Sequence, residues 1–272
     1  MAGTLLLRAV HGEPDTLKLW LRPYSPEAGI QEIMNRPSPT IIFAVAGLPL
    51  LAAAFVAVLL TMGNQPKPAQ YAAILGISYL LGSVPWGYML LRLRMGVDIR
   101  QYGSGRTGMS NVLRTGGGKV AALVLLLDVS KGVLSVYLAR MIIGASEAEV
   151  AAALLSLIGH NWPVFLGFKG GRGIATGAGA LTMLAPISAG IGMIGFISAT
   201  FTSRYVSLGS ITGVIAASLA LLILDILGYS PTPYTLYGFL GGGIIIWQHR
   251  DNIQRIREGN ERRLGHPSTG PS

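Results

Sequence analysis

The chain has 272 residues, 51% of them hydrophobic and only 12% charged, with 21 Lys+Arg against 12 Asp+Glu and no cysteine. That apolar excess excludes an ordinary soluble domain and points to a chain that crosses a bilayer several times. The lack of cysteine excludes disulfides, thiolate nucleophiles and Cys-ligated metals, and cations that fall between apolar runs fit topology and anionic ligands better than nucleic acid.

In chain order, residues 1–40 carry Pro14, Pro23, Pro26, Pro37 and Pro39 among scattered charges, and read as an irregular extension with a short helix near residues 17–21. They do not read as a secretory signal, because the first long apolar run starts at Ile41 with no A-x-A site after it. Residues 41–62 supply the roughly 20 apolar residues a bilayer requires, and the proline-rich stretch 65–68 ends that run. Further apolar runs follow at 71–93, 120–143, 150–168, 174–201, 206–227 and 234–247. Cations cluster in 92–119 and 249–263, with Lys169, Arg172 and Arg204 between other runs, and the positive-inside rule puts all of these on the cytoplasmic side. Parity then requires 174–201 to cross twice, broken at Pro186 into two short helices packed against protein. The expected fold is all-α, a polytopic membrane helical bundle of eight spans with both termini cytoplasmic: one extra N-terminal span and a seven-span core. Its divisions fall at 1–40 (cytoplasmic extension), 41–69 (extra span and linker), 70–264 (core) and 265–272 (disordered tail).

Three polar segments carry the chemistry. The first runs from Gly103-Ser104-Gly105-Arg106-Thr107-Gly108 to Asn111 and Arg114. Its glycines let backbone N–H groups converge on an anion, Ser104 and Ser110 supply hydroxyls, and Arg106 and Arg114 suit phosphate oxygens. The run satisfies G-x-G-x-x-G, with Asp128 20 residues beyond Gly108, yet a dinucleotide turn needs a strand before it and a membrane helix stands there instead. A basic loop that only sets topology is the plain alternative.

The second segment, His160 to Thr176, places Lys169-Gly170-Gly171-Arg172-Gly173 at the start of an apolar helix, a cationic nest where a helix dipole favours anions. It lacks Walker A spacing. His160 alone also fits a buried hydrogen-bonding residue, and Trp162 an interfacial anchor. In the third, residues 249–261, helical spacing puts His249 and Asn252 on one face, with a solvated basic helix as the alternative. Asp128 and Lys131, at i and i+3 inside an apolar run, are either a packing pair or part of a polar cavity. His11, His160, His249 and His266 show no metal-ligand spacing, and no G-x-S-x-G elbow occurs.

These segments resemble the acyl-phosphate:glycerol-3-phosphate acyltransferase family (PlsY), integral membrane enzymes, over about residues 71–261. The family pattern SGNxGATNxxR is similar to Ser104–Arg114, with Arg106, Met109 and Ser110 as departures. HxxPxFxxFKGGKGxAT matches His160–Thr176 with Arg172 for lysine, and HxxNIxRLxxGxE matches His249 to Glu261. LDxxKG at Leu127–Gly132 and RYVSL at Arg204–Leu208 also look like the family's.

The resemblance implies acyl transfer from acyl phosphate to the 1-hydroxyl of sn-glycerol 3-phosphate, giving lysophosphatidate and phosphate, at the cytoplasmic face of a bacterial inner membrane. It implies Ser104, Arg114, His249 and Asn252 as catalytic residues, with Gly105, Gly108, Asn111, His160, Lys169, Gly170, Gly171, Arg172, Gly173 and Glu261 binding substrate. No cofactor and no metal are expected; the partners are the two substrates and membrane lipid, without nucleic acid. None of the four histidines has Asp five residues on, so the H-x-x-x-x-D box of acyl-CoA-dependent enzymes is missing. The rival reading is a transporter for an organic phosphate or anion with a midplane site at Pro186; a lipid-binding scaffold stands third.

Overall fold

The computed structural model of the chain describes residues 39–264. Residues 1–38 of the expected N-terminal extension, its short helix included, and the tail 265–272 lie outside these residues, as do His11 and His266. The chain divides into two units, Met1–Ile42 and Phe43–Ser272, and of the first only one helical turn, Pro39–Ile42, is described.

In the second unit a π-helical turn, Phe43–Gly47, leads into α1 (Leu48–Thr61). There follow α2 (Lys67–Ser83), α3 (Trp86–Met95), α4 (Met109–Ile142), α5 (Ser146–Asn161), α6 (Ile174–Leu184), α7 (Pro186–Ser203), α8 (Val206–Ile226), α9 (Thr232–Gln248) and α10 (Arg250–Arg257). Among the described residues no element is a strand. Six helical runs are long and apolar enough to cross a membrane: Pro39–Asn64, Lys67–Met95, Met109–Ile142, Ser146–Leu166, Pro186–Ser203 and Val206–Ile226. The apolar helix α6 is shorter, at 11 residues.

Local chemistry explains the breaks. Pro186 opens α7 in its first turn, where its missing N–H costs nothing, and Ala185 before it is extended (φ −147°, ψ 84°), so the 174–201 run forms two helices as its proline suggests. The 71–93 run does not form one helix: Val84 (ψ 116°) and Pro85 turn the chain between α2 and α3. Nor does the third apolar run start at 120, because α4 begins at Met109 and continues across a kink at Gly117, whose φ of 79° suits glycine.

Close backbone contact fixes α6 against α4. A side chain on Gly132 would overlap the Thr176 carbonyl, and one on Gly179 the Val129 carbonyl, so small residues set the spacing as in other membrane helix pairs. At the far end of α4, Arg140 and Tyr234 both donate at 2.7 Å to Glu149 Oε2, joining α4, α5 and α9 around a buried carboxylate whose partners replace water. One helix outside the core also packs on it: Leu51, Phe55, Val58 and Leu59 of α1 rest against Ile74, Ile77 and Leu138.

Candidate active site

The starts of α4 and α6 border the same cleft. Gly108, Met109, Ser110 and Asn111 line it from one side, with Gly173, Ile174 and Ala175 from the other, around about 620 Å³. Neither helix start is capped by a side chain, so the positive ends of two helix dipoles are turned toward one space.

Within the first segment Asn111 shapes the loop. Its Nδ2 donates to the carbonyls of Tyr102 (2.9 Å), Arg106 (3.0 Å) and Ile99 (3.3 Å), and its Oδ1 accepts the Ser104 N–H at 3.1 Å. The amide is thereby spent on the loop, while Ser104 and Gly108 border the cleft. Gly105 and Arg114 do not line it.

The second segment folds back on the end of α5. Gly170 N–H donates to Asn161 O (3.2 Å) and Gly171 N–H to His160 O (3.1 Å). Side chains at these two glycines would overlap the His160 carbonyl and the His160 ring, so the contact itself demands glycine. Gly173 takes φ 84°, turns the chain into α6 and lines the cleft. Arg172 enters the cleft, whereas Lys169 is exposed and lies outside it, as do Gly170 and Gly171. Burial, then the charges of Arg106 and Arg255, draw the Arg172 pKa down to about 10, and its Nε has no hydrogen-bond partner among the described residues. Such a guanidinium stays charged at neutral pH and gains from any anion beside it.

From the third segment His249 lines the cleft and is 3% exposed. Its Nδ1 lies 2.8 Å from Ile245 O. A carbonyl only accepts, so Nδ1 carries the proton and Nε2 offers a lone pair. Burial first, against the Ile245 hydrogen bond and with Arg172 nearby, draws the His249 pKa down to about 4. Asn252 and Glu261 stand behind the cleft, not on it. Glu261 Oε1 accepts from Asn252 Nδ2 (2.7 Å) and Ser207 Oγ (2.9 Å), and Oε2 accepts from Arg255 Nε (2.8 Å), a clasp between the start of α8 and the chain after α10.

Further residues complete the lining of the cleft, Arg106 of the first segment among them. Arg106 lines it 3.9 Å from Asp251, and burial lowers its pKa although Asp251 opposes this. Phe196 and Ser210 reach it from apolar stretches, and Val206 from the RYVSL stretch at the start of α8. The one signal for the first two is glycine density along α6 to α9. Those helices, with α4, line an apolar groove. Met109, Leu125, Ile174, Ala175, Phe196 and Ser210 border both spaces, so the cationic cleft opens directly into the groove. Together they match an amphiphile with an anionic head.

Comparison with known proteins agrees with this chemistry. Residues 72–259 match the family model described as glycerol-3-phosphate acyltransferase. A glycerol-3-phosphate acyltransferase 3 of Dehalococcoides mccartyi is 44% identical over 212 residues, 74% of this chain and 98% of the relative. A glycerol-3-phosphate acyltransferase of Gloeobacter violaceus is 42% identical over 70% of this chain and 93% of its own length. Among solved structures, PlsY, an integral membrane glycerol 3-phosphate acyltransferase, superposes in its glycerol 3-phosphate form with a TM-score of 0.67 and 38% identity, over 72% of this chain and 96% of that one. Its lysphosphatidic acid form gives 0.65 and 37%. The chain belongs to the family of integral membrane glycerol-3-phosphate acyltransferases.

Proposed function

We propose that the chain transfers a fatty acyl group from acyl phosphate to the 1-hydroxyl of sn-glycerol 3-phosphate, releasing lysophosphatidate and inorganic phosphate as the first step of phospholipid synthesis. The observation that carries this reading is the continuity of the cleft with the groove: an acyl phosphate is an anionic head on an apolar chain, and the two spaces share a wall. The active site faces the cytoplasm of a bacterial inner membrane, in keeping with the cations of 92–119 and 249–263. The core 70–264 carries the activity, and the span within 41–69 lies outside it.

Arg172 and the start of α6 hold one phosphate; Ser104, Arg106 and the start of α4 hold the other. Arg114 and Asn252 support the cleft from behind, and Lys169 attracts anionic substrate from the surface. His249 Nε2 accepts a hydrogen bond from glycerol 3-phosphate and orients it toward the acyl carbonyl. The hydroxyl oxygen forms the new ester bond, the carbonyl carbon to phosphate oxygen bond breaks, and the hydroxyl proton leaves on the phosphate. A ring with a pKa of about 4 is a weak base, which favours the leaving phosphate as proton acceptor. Acyl phosphate is already activated, so alignment, worth about 7 to 11 kcal/mol, and N–H donors, worth about 3 to 4 kcal/mol, carry the catalysis.

Purified protein supplied with acyl phosphate and glycerol 3-phosphate should release phosphate and form lysophosphatidate in equal amounts. Phosphate uptake into liposomes without an acylated product would overturn the reading in favour of transport. Replacing His249 with Gln separates the proton routes, since most of the turnover surviving would exclude the imidazole as obligatory base.

A further inference from the structure

Asp128 and Lys131 of α4 form a buried ion pair, Oδ1 to Nζ 2.7 Å, with side chains 2% and 4% exposed. Such a pair is costly to bury and contributes little stability on its own. Its other contact is the informative one. Lys131 Nζ lies 3.4 Å from Nδ1 of His160, and Thr176 Oγ1, in the first turn of α6, lies 3.2 Å from the same nitrogen. An ammonium has three donors and no acceptor, so the ring nitrogen it faces must carry a lone pair. Asp128 Oδ1, the carboxylate oxygen near Nδ1, is 3.6 Å away, beyond hydrogen-bond range, and the Thr176 hydroxyl can donate to the lone pair that Lys131 faces. With the lone pair assigned to Nδ1 on the Lys131 contact, a neutral ring carries its proton on Nε2.

That second nitrogen sits against Gly171 of the cationic loop, at the spot a side chain there would fill. His160 borders the cleft, and among the described residues its side-chain hydrogen-bond contacts are at Nδ1, with none at Nε2. A donor without a partner thus belongs to a residue that lines the same cleft as Arg172 and the start of α6, where an anion is expected.

We propose that Lys131 and Thr176, with Asp128 holding the ammonium, are positioning residues that lock His160 as the Nε2–H tautomer, and that this N–H donates to a phosphate oxygen in the cleft. The inference rests on the acyl-transfer reading and adds residues to it. Its ligand chemistry is a phosphate monoester or acyl phosphate group, and the two substrates are its possible sources. The buried charges serve geometry: without them the ring could turn its lone pair toward the anion and repel it.

The test uses the full chain, with 15N-labelled histidine, in lipid nanodiscs. The His160 signals are identified by their loss in His160→Gln. The expected spectrum has Nε2 protonated and Nδ1 bare, and inorganic phosphate moves the Nε2–H resonance. A proton on Nδ1 overturns the lock, and an Nε2–H signal that phosphate leaves unmoved overturns the donor role. The charge-balanced pair Lys131→Met with Asp128→Asn should mix the tautomers and raise KM about tenfold for the substrate whose phosphate is held, the value of one hydrogen bond to a charged group, with kcat less affected. Measuring KM for acyl phosphate and for glycerol 3-phosphate separately identifies the source. Thr176→Ser should keep the tautomer and Thr176→Val weaken it; a spectrum and KM unchanged in both the double variant and Thr176→Val overturn the positioning role. Acyl transfer by the unaltered protein is followed in the same preparation, where its absence would sink the functional reading alone, because the tautomer is read without turnover.

Discussion

Asn252 Nδ2 donates to Glu261 Oε1 at 2.7 Å, so a residue expected to be catalytic and one expected to bind substrate hold each other, while Asn252 Oδ1 has no partner among the described residues. Glu261 also takes Arg255 and Ser207, and its side chain is 3% exposed. Removing it strands a cation and two donors. Glu261→Ala should destabilise the protein by about 3 kcal/mol, within the range for breaking a buried pair, and Glu261→Gln by less, since Asn252 and Ser207 keep an acceptor. Thermal unfolding in detergent measures both; an unchanged midpoint for Glu261→Ala would contradict the clasp.

The His249 ring should titrate far below the ordinary histidine value of about 6.5. With a folded pKa of about 4, its stabilising contribution is complete above pH 6.5 and declines as pH falls from 6.5 toward 4, where the unfolded chain binds a proton and the folded one does not. The loss across that window is about 3 kcal/mol. An NMR titration of labelled histidine, with His249→Gln to assign the signal, should give a midpoint near 4; one near 6.5 would remove the desolvated environment inferred for it.

Arg106 should act on binding and hardly on stability. Its 3.9 Å pairing with Asp251, itself half exposed, is long, and such pairs contribute about 0 to 1 kcal/mol. Arg106→Asn should leave the unfolding midpoint nearly unchanged while raising KM for a phosphate substrate about tenfold, with a weaker dependence on salt. Asp251→Asn should lower that KM by freeing the guanidinium. Steady-state kinetics at two ionic strengths decide, and equal KM values for Arg106→Asn and the parent would exclude the contact.

The groove should set donor length. Ala189 and Leu181 lie toward its end away from the cleft, where α6 gives way to α7, so Ala189→Phe should cut kcat/KM for a long-chain acyl phosphate while sparing a short-chain one. A uniform effect on both would place the chain elsewhere.

Sequence and structure meet unevenly. Pro186 reveals its break because a proline at a helix start has one conformational meaning, and the Gly-rich loops reveal the two uncapped helix starts. Lys169 and Arg172 carry the same charge in one motif, and nothing in their pattern tells which turns inward; the back-bonding of Gly170 and Gly171 onto α5 decides it. Likewise i, i+3 spacing announces the Asp128 and Lys131 pair but not its reach to His160, which depends on how α4 and α5 pack. The groove is illegible because its walls are apolar whichever neighbour they meet.

The wall shared by cleft and groove also determines how the enzyme must be assayed. On the proposed function, the acyl donor reaches the cleft by way of the groove, through the lipid or detergent phase in which the helices are dissolved. Rates should therefore follow the mole fraction of acyl phosphate in that phase, falling when micelles are added at fixed total donor. Alkyl detergents should then compete with the donor for the apolar groove.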